Sequence, residues 1–588
     1  MAIFLGRLDT RVDRSQVRIV CNERVSMSEN RSVPRRPIRP LDEQPPLSRG
    51  QFIVRDTPDR ESVPMDVIFV GAGPAGLSGA IELAKLVRTE QERGGFLGEV
   101  KIGVLEKAGQ LGEHSLSGAV VNPSGFRELF PDVSPDEFPF RQPVRKERVY
   151  VLGPNRSVRV PIPPTMRNQG NYIASICEIV RWLGERAEDL GVNIFPGFPV
   201  DSLLVKNSSV IGVRTTPSGL GRGGEPLGSG AEPSIDLTAR VTVLSEGTRG
   251  SLSQAWLDWQ GIGCTNPQIF ALGVKELWEV KRPLDCITHT IGWPLTSDAF
   301  GGSFMYPMAD DLVALGLVVG LDYADARFDT HGVLQSMKMH PLFRSLLEGG
   351  KMIEWGAKTI PEGGYHSVPE RRHGDGLLIV GDAAGYVDVS SLKGIHYAMH
   401  SGILAARKIF EALVSGDTSE SGLAGYTAAV NSSRIMKDLR ERRNMRLAFK
   451  EGLLVGGMKA GLMTLTKGRF PGGTIKVEED AAGGREFNRK SVSVIPDNTL
   501  TFSKVDAVFR SGNQTRDDIP SHLIEGGSVV SAEAADFYSH MCPAGVYERD
   551  GDRLLVNAPN CIDCKATDVL GPRWSPREGG SGPAYRRM

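Results

Sequence analysis

The chain has 588 residues, 40% of them hydrophobic and 24% charged, with a net charge of −1. That length exceeds what one hydrophobic core holds and predicts two or three domains. The near-zero charge excludes a general nucleic-acid binder, whose footprint would be basic, and no apolar run reaches the roughly 18 residues of a spanning helix.

In chain order, residues 1–64 come first. Arg7, Arg11, Arg14, Arg18, Arg35, Arg36 and Arg39 are scattered there among prolines and polar residues. With no sustained apolar period, this stretch predicts a disordered leader. A transit peptide, or a start at Met27 or Met65, are the other readings of it.

Order is expected from Met65. The β-branched run Asp66-Val67-Ile68-Phe69-Val70 predicts a buried parallel strand. It enters Gly71-Ala72-Gly73-Pro74-Ala75-Gly76, then a helix, then a second strand over 101–105 closed by Glu106. Gly71 makes the tight bend, and Gly73 lets backbone approach a pyrophosphate. Gly76 lets the helix pack on the strand, and Glu106 faces ribose hydroxyls. A late strand over 377–380 ends in Gly381-Asp382, with Gly385 beyond. Together the two glycine turns indicate FAD, with the Asp382 carboxylate toward the ribityl chain; a helix-capping role for Asp382 uses the same geometry.

The seven cysteines divide into four scattered residues and a C-terminal group, Cys542, Cys561 and Cys564. A C-x-x-C pair with a third thiol beside Pro543 fits an iron–sulfur site; zinc is the rival. Between 434 and 469 lie ten basic residues and three acidic ones. They are interleaved with Leu453, Leu454, Val455, Met458, Leu462, Met463 and Leu465, which predicts an interfacial helix at a membrane. A solvated basic face over a core helix is the plain alternative.

With these elements in place, the chain resembles the electron transfer flavoprotein–ubiquinone oxidoreductase family from Met65 onward. The similar strings include Leu105-Glu106-Lys107, Leu116-Ser117-Gly118-Ala119, Lys275-Glu276-Leu277-Trp278, Gly301-Gly302-Ser303-Phe304, Leu392-Lys393-Gly394-Ile395-His396 and Cys542-Pro543-Ala544-Gly545-Val546-Tyr547. The resemblance implies a mixed α/β fold: a Rossmann-like FAD-binding domain, an interwoven β-rich quinone-binding domain and a C-terminal ferredoxin-like iron–sulfur domain. The boundaries expected are 65–270 with 356–430 for FAD, 271–355 for quinone, 431–474 for membrane contact and 475–588 for the cluster.

The resemblance also implies that Lys107, Ser117, Gly118 and Gly394 join Gly71, Gly73, Ala75, Gly76, Glu106, Gly381 and Asp382 around FAD. Gly301 and Gly302 are expected at the quinone, and Cys542, Cys561 and Cys564 at a 4Fe–4S cluster. The partners implied are reduced electron transfer flavoprotein and a membrane quinone. The place implied is the cytoplasmic face of a bacterial inner membrane or the matrix face of the mitochondrial one. No side chain is expected to act as acid, base or nucleophile, and His396 and Tyr306 are read as packing groups. An FAD-dependent geranylgeranyl-type reductase and a flavoprotein relay subunit serving a separate ferredoxin are the alternatives.

One departure stands out: the family's run continues C-x-x-C-x-x-C, and Thr567 occupies the last place. Three arrangements are compatible with that: an oxygen ligand from Asp563 or Asp568, a 3Fe–4S cluster on three thiolates, or no cluster.

Overall fold

The computed structural model describes residues 36–588, except 60, 310, 471, 488–493, 525–529 and 552. Its first layer is a six-stranded sheet in the order Asn193–Pro196, Ile102–Glu106, Val67–Val70, Val241–Leu244, Leu377–Ile379, His373–Gly374. All neighbours are parallel except the last pair. Val67 to Val70 are all buried, as a strand covered on both faces requires. Helices Pro74–Glu92 and Ile395–Ser415 pack closely on each other at Gly79 and Gly402. A Cβ on Gly402 would lie 2.1 Å from the Ala75 carbonyl oxygen, so only glycine permits that approach.

A second sheet of seven strands runs Lys351–Pro361, Phe270–Glu279, Leu312–Gly320, Gly301–Ala309, Ile287–Gly292, Glu147–Leu152, Ser157–Val160. The boundary expected at 270/271 therefore does not hold for residues 147–160. They leave the FAD-binding stretch because Glu147–Leu152 pairs in parallel with Ile287–Gly292. Among the described residues, the segment from 475 onward has no core of its own. Tyr538, Tyr547 and the three late cysteines share one hydrophobic cluster with Leu272, Leu317 and Trp355 of the second sheet.

The expected disorder of residues 1–64 also needs correction. Residues 1–35 lie outside the described part, but 36–64 are built into the fold. Ile38 exchanges backbone bonds with Arg485 at 2.9 and 2.7 Å. Ile53–Val54 and Val63–Pro64 form the two edges of a five-stranded sheet completed by residues 200–238. Phe52 is buried against the first core. A charged, proline-rich segment is ordered here by edges that other parts of the chain supply.

Among the described residues no helix is long and apolar enough to cross a membrane. Helix Leu453–Leu465 leaves Val455, Met458, Leu462 and Leu465 exposed, Met458 at 65% and Leu465 at 82%. Their spacing of three and four puts them on one face. Two of the ten basic residues in this region point inward instead. Arg442 pairs with Asp388, and Arg446 pairs with Asp322 at 2.9 Å and Glu362 at 2.6 Å.

Candidate functional site

A cavity of about 390 Å³ opens between the two sheets. Gly71, Gly73, Ala75, Glu106, Lys107, Ser117, Gly118, Asp382 and Gly394 all line it. Gly71 has φ +107°, and a Cβ there would meet the Ser245 carbonyl oxygen at 2.5 Å. Gly76 lies behind the wall: its Cβ would sit 2.2 Å from the Gly71 oxygen. Gly73 faces open space, with nothing within 4 Å of where a Cβ would be. As N-cap of helix Pro74–Glu92 it borders the helix's unpaired N–H groups, which suits a diphosphate.

Glu106 braces the turn. Its carboxylate accepts the N–H groups of Ala72 and Ala108, both at 2.9 Å, leaving one lone pair on each oxygen for a ribose hydroxyl. Gly381 (φ +63°) backs the wall, donating its N–H to Ser401 Oγ at 2.9 Å. It thereby delivers Asp382 into the cavity, where burial pushes the carboxyl up to about 6 against the pull of Lys358. Gly394, N-cap of helix Ile395–Ser415, lies beside it.

Other lining residues carry no local signature in the sequence. On strand Phe270–Glu279 alternate side chains face opposite ways. Lys275 turns to the cavity while Glu276 turns to the buried Lys338, 2.9 Å away. Lys275 Nζ is buried without a hydrogen-bond partner, and burial lowers it to about 8. An orphaned cation in the cavity wall fits a bound polar or anionic group. Tyr306 also lines the cavity, and its hydroxyl, 2.6 Å from His289 Nε2, has a hydrogen-bond partner there. His396 is buried in helix Ile395–Ser415, its Nδ1 unpartnered.

The third wall comes from the C-terminal segment: Asp563, Lys565, Trp574, Arg577 and Glu578. Asp563 belongs to the Cys561–Cys564 loop and reaches Lys107 at 2.7 Å and Arg577 at 2.9 Å. Trp574 Nε1 donates to it at 3.2 Å. Burial would raise this carboxyl, but Arg577, Lys107 and neighbouring histidines outweigh it and hold it well below the usual carboxylate range. Asp563 and Lys565 both have positive φ, 53° and 69°, which bends the loop sharply around Cys564.

Cys542 ends helix Ala532–Met541, and Cys561 and Cys564 follow in this loop; all three are buried. After burial, Cys542 and Cys561 are what push the Cys564 thiol up, so the three lie within electrostatic reach of one another. Lys504 Nζ donates to the Cys542 carbonyl at 2.8 Å, and Arg577 to the Cys561 carbonyl at 2.9 Å. Three converging thiols bordered by cations fit an anionic iron–sulfur group. His522 is buried with neither ring nitrogen hydrogen-bonded, and its ligand atom lies within 4.8 Å of Cys561 Sγ and an Asp563 oxygen.

Gly301 and Gly302 are outside the cavity lining, on strand Gly301–Ala309. A Cβ on Gly301 would strike the Val318 carbonyl oxygen at 2.2 Å, so close strand contact accounts for that glycine. Phe300 just before them packs on Phe449 (centroids 5.1 Å), which leads into helix Leu453–Leu465.

A dinucleotide-type cleft walled by a thiol-bearing segment defines a class: an FAD- and iron–sulfur-containing oxidoreductase. Its fold is shared with a geranylgeranyl bacteriochlorophyll reductase-like protein of Thermoplasma acidophilum, at TM-score 0.52 and 19% identity over 71% of this chain and 94% of that one. Two family models match, "ETF-QO, ubiquinone-binding" over 270–360 and "Electron transfer flavoprotein-ubiquinone oxidoreductase, 4Fe-4S" over 498–586. The mitochondrial electron transfer flavoprotein-ubiquinone oxidoreductase of Dictyostelium discoideum is 37% identical, covering 91% of this chain and 92% of its own. The Homo sapiens protein of the same name is 37% identical, covering 89% of each. The chain belongs to the electron transfer flavoprotein–ubiquinone oxidoreductase family.

Proposed function

We propose that this protein moves electrons from reduced electron transfer flavoprotein to ubiquinone at a membrane surface. The observation that carries the reading is the shared wall: Asp563 of the cysteine loop is bonded to Lys107 of the dinucleotide cleft, so the two cofactor sites adjoin. When bound, FAD and the iron–sulfur cluster supply the redox chemistry, and the chain supplies position and electrostatics.

Gly71 and Gly73 bring backbone to the FAD diphosphate, with Ala75 in the first helical turn and Gly76 and Gly381 allowing the close packing behind it. Glu106 takes ribose hydroxyls and Asp382 the ribityl chain, while Ser117, Gly118 and Gly394 border the same space. Lys107 and Lys275 add positive charge beside the flavin. Cys542, Cys561 and Cys564 hold the cluster. Gly301 and Gly302 border the quinone site, on the side where Phe300 meets Phe449 and the chain runs on toward the exposed helix. The Val455, Met458, Leu462 and Leu465 face lies on the bilayer, with Lys467 and Arg469 near its headgroups. The membrane is that of a bacterium, on the cytoplasmic face, or the matrix side of the mitochondrial inner membrane; the relatives are named as mitochondrial.

The test is a quinone-reductase assay with the flavin- and iron-loaded full chain, reduced electron transfer flavoprotein as donor and a short-chain ubiquinone as acceptor. Donor-dependent quinol formation is expected. Absence of turnover with every quinone tried overturns the reading.

A further inference from the structure

The fourth corner of the cluster site is where this chain departs from its family, and the structure narrows the three arrangements compatible with the sequence. Asp563 is committed to Lys107, Arg577 and Trp574 Nε1. Asp568 is committed to Arg249 and to the Trp574 N–H at 3.2 Å. Freeing either carboxylate to bind iron would strand its cation, Arg577 or Arg249, without a counter-charge. Neither is available.

Thr567, in the fourth ligand's place, is buried. Its hydroxyl donates to the Pro572 carbonyl at 3.0 Å and takes the Tyr547 phenol at 2.6 Å. After burial, the Cys542 thiol is what pushes that phenol up, followed by Cys561 further down. Thr567 lies in helix Ala566–Leu570, three residues after Cys564, and Tyr547 shares the hydrophobic cluster of the three cysteines, so the hydroxyl pair is built into the same corner of the core. Neutral hydroxyls are far poorer ligands for iron in a sulfide cluster than a thiolate is.

We propose that the cluster is held by three thiolates only, and that its fourth iron faces the Thr567–Tyr547 hydroxyl pair and is removable. On oxidation, a 4Fe–4S cluster in its 2+ state releases one ferrous ion and one electron. A 3Fe–4S core in its 1+ state remains on Cys542, Cys561 and Cys564. A one-electron oxidant of the ferricyanide class takes the electron, and ferrous iron with a reductant reverses the step. The corner would then make electron flow through this enzyme responsive to oxidant and iron supply. The inference rests on the functional reading above only in taking an iron–sulfur cluster to be present.

The test titrates the anaerobically loaded full chain with ferricyanide while following iron content and low-temperature EPR. The wild type should lose about a quarter of its iron and gain the signal of an oxidised 3Fe–4S centre. Added ferrous iron and dithionite should restore the reduced 4Fe–4S signal. Thr567→Cys should hold its iron through the same titration, and Thr567→Ser should behave as the wild type. His522→Ala addresses the buried imidazole that lies within 4.8 Å of Cys561 Sγ, and iron loss unchanged from wild type is expected.

A wild type that keeps all its iron overturns the inference. So does one that keeps it until His522 is removed, because histidine is then the fourth ligand. A wild type that never takes up iron overturns it too, together with the cluster assignment. Quinone reduction on the same samples separates the failures: turnover without a removable iron sinks only this inference.

Discussion

The flavin cleft and the cysteine site adjoin, yet they are built by different means. The cleft is made of backbone: Gly71, Gly73 and Gly381 fix a turn and two helix N-termini, and side chains mostly brace what the backbone sets. The cysteine site is made of side chains held over long sequence distances, with Asp563 reaching Lys107 across 456 positions. A backbone site tolerates little change but announces itself locally. A side-chain site accepts substitution at one corner, as Thr567 shows, and its supports are scattered.

The largest effect should fall on the backbone site. Gly76→Val places carbon atoms against the Gly71 and Ser245 oxygens, and a loss of about 3–5 kcal/mol is expected. The purified variant should carry no flavin, read as absorbance per mole of protein; normal flavin content would break the contrast drawn above.

Next comes Asp563→Asn, which leaves the buried Arg577 and the part-buried Lys107 without their counter-charge. We expect a loss of about 3–5 kcal/mol, with both flavin and iron content reduced. If denaturant unfolding shows the variant as stable as wild type, the bridge between the two sites is not a structural support.

Asp382→Asn should act in opposite directions on stability and on binding. The folded carboxyl sits at about 6 and the unfolded one near 4. A raised carboxyl contributes stability that is present below the unfolded value and lost as pH rises through the folded one. Flavin-free wild type should therefore lose up to about 3 kcal/mol relative to the Asn variant between pH 4 and 7. The variant should also bind FAD more weakly, since it cannot accept hydroxyls as a carboxylate does. Parallel stability profiles for the two proteins would remove Asp382 from the cavity's electrostatics.

The smallest effect is expected at the exposed helix. Leu465→Ser should weaken binding to anionic phospholipid vesicles about 10-fold by sedimentation, since burying one leucine contributes about 1.5–3 kcal/mol. Unchanged binding would move the membrane contact elsewhere.

How far this could be read from the sequence follows the same division. The strand–glycine–helix–acid order at 66–106 is legible because each residue type is required by the geometry beside it. Ile53–Val54 and Val63–Pro64 are not, because their order depends on sheet edges made by residues 200–238. The basic segment over 434–469 reads as one surface feature, yet Arg442 and Arg446 turn inward to carboxylates that no local pattern indicates. Lys275 is legible as part of a familiar string, but its orphaned Nζ appears only once the sheet faces the cavity. The sequence offers Asp563 only as a candidate oxygen ligand, since a lone acid between two cysteines does not indicate a distant lysine.

The wall formed by residues 563–578 bears on how the protein is made. During synthesis the glycine turn and the strands up to Leu244 emerge long before Asp563 and Arg577 do. Until then the cleft stands open on one side, and Lys107 has no counter-charge. The thiols, for their part, end up inside the hydrophobic cluster of the second sheet, where a whole iron–sulfur cluster, unlike a single ferrous ion at the Thr567 corner, has no easy path once the core has closed. Cofactor loading is therefore tied to the last stage of folding, and maturation machinery has a brief window in which to deliver metal to an otherwise finished chain.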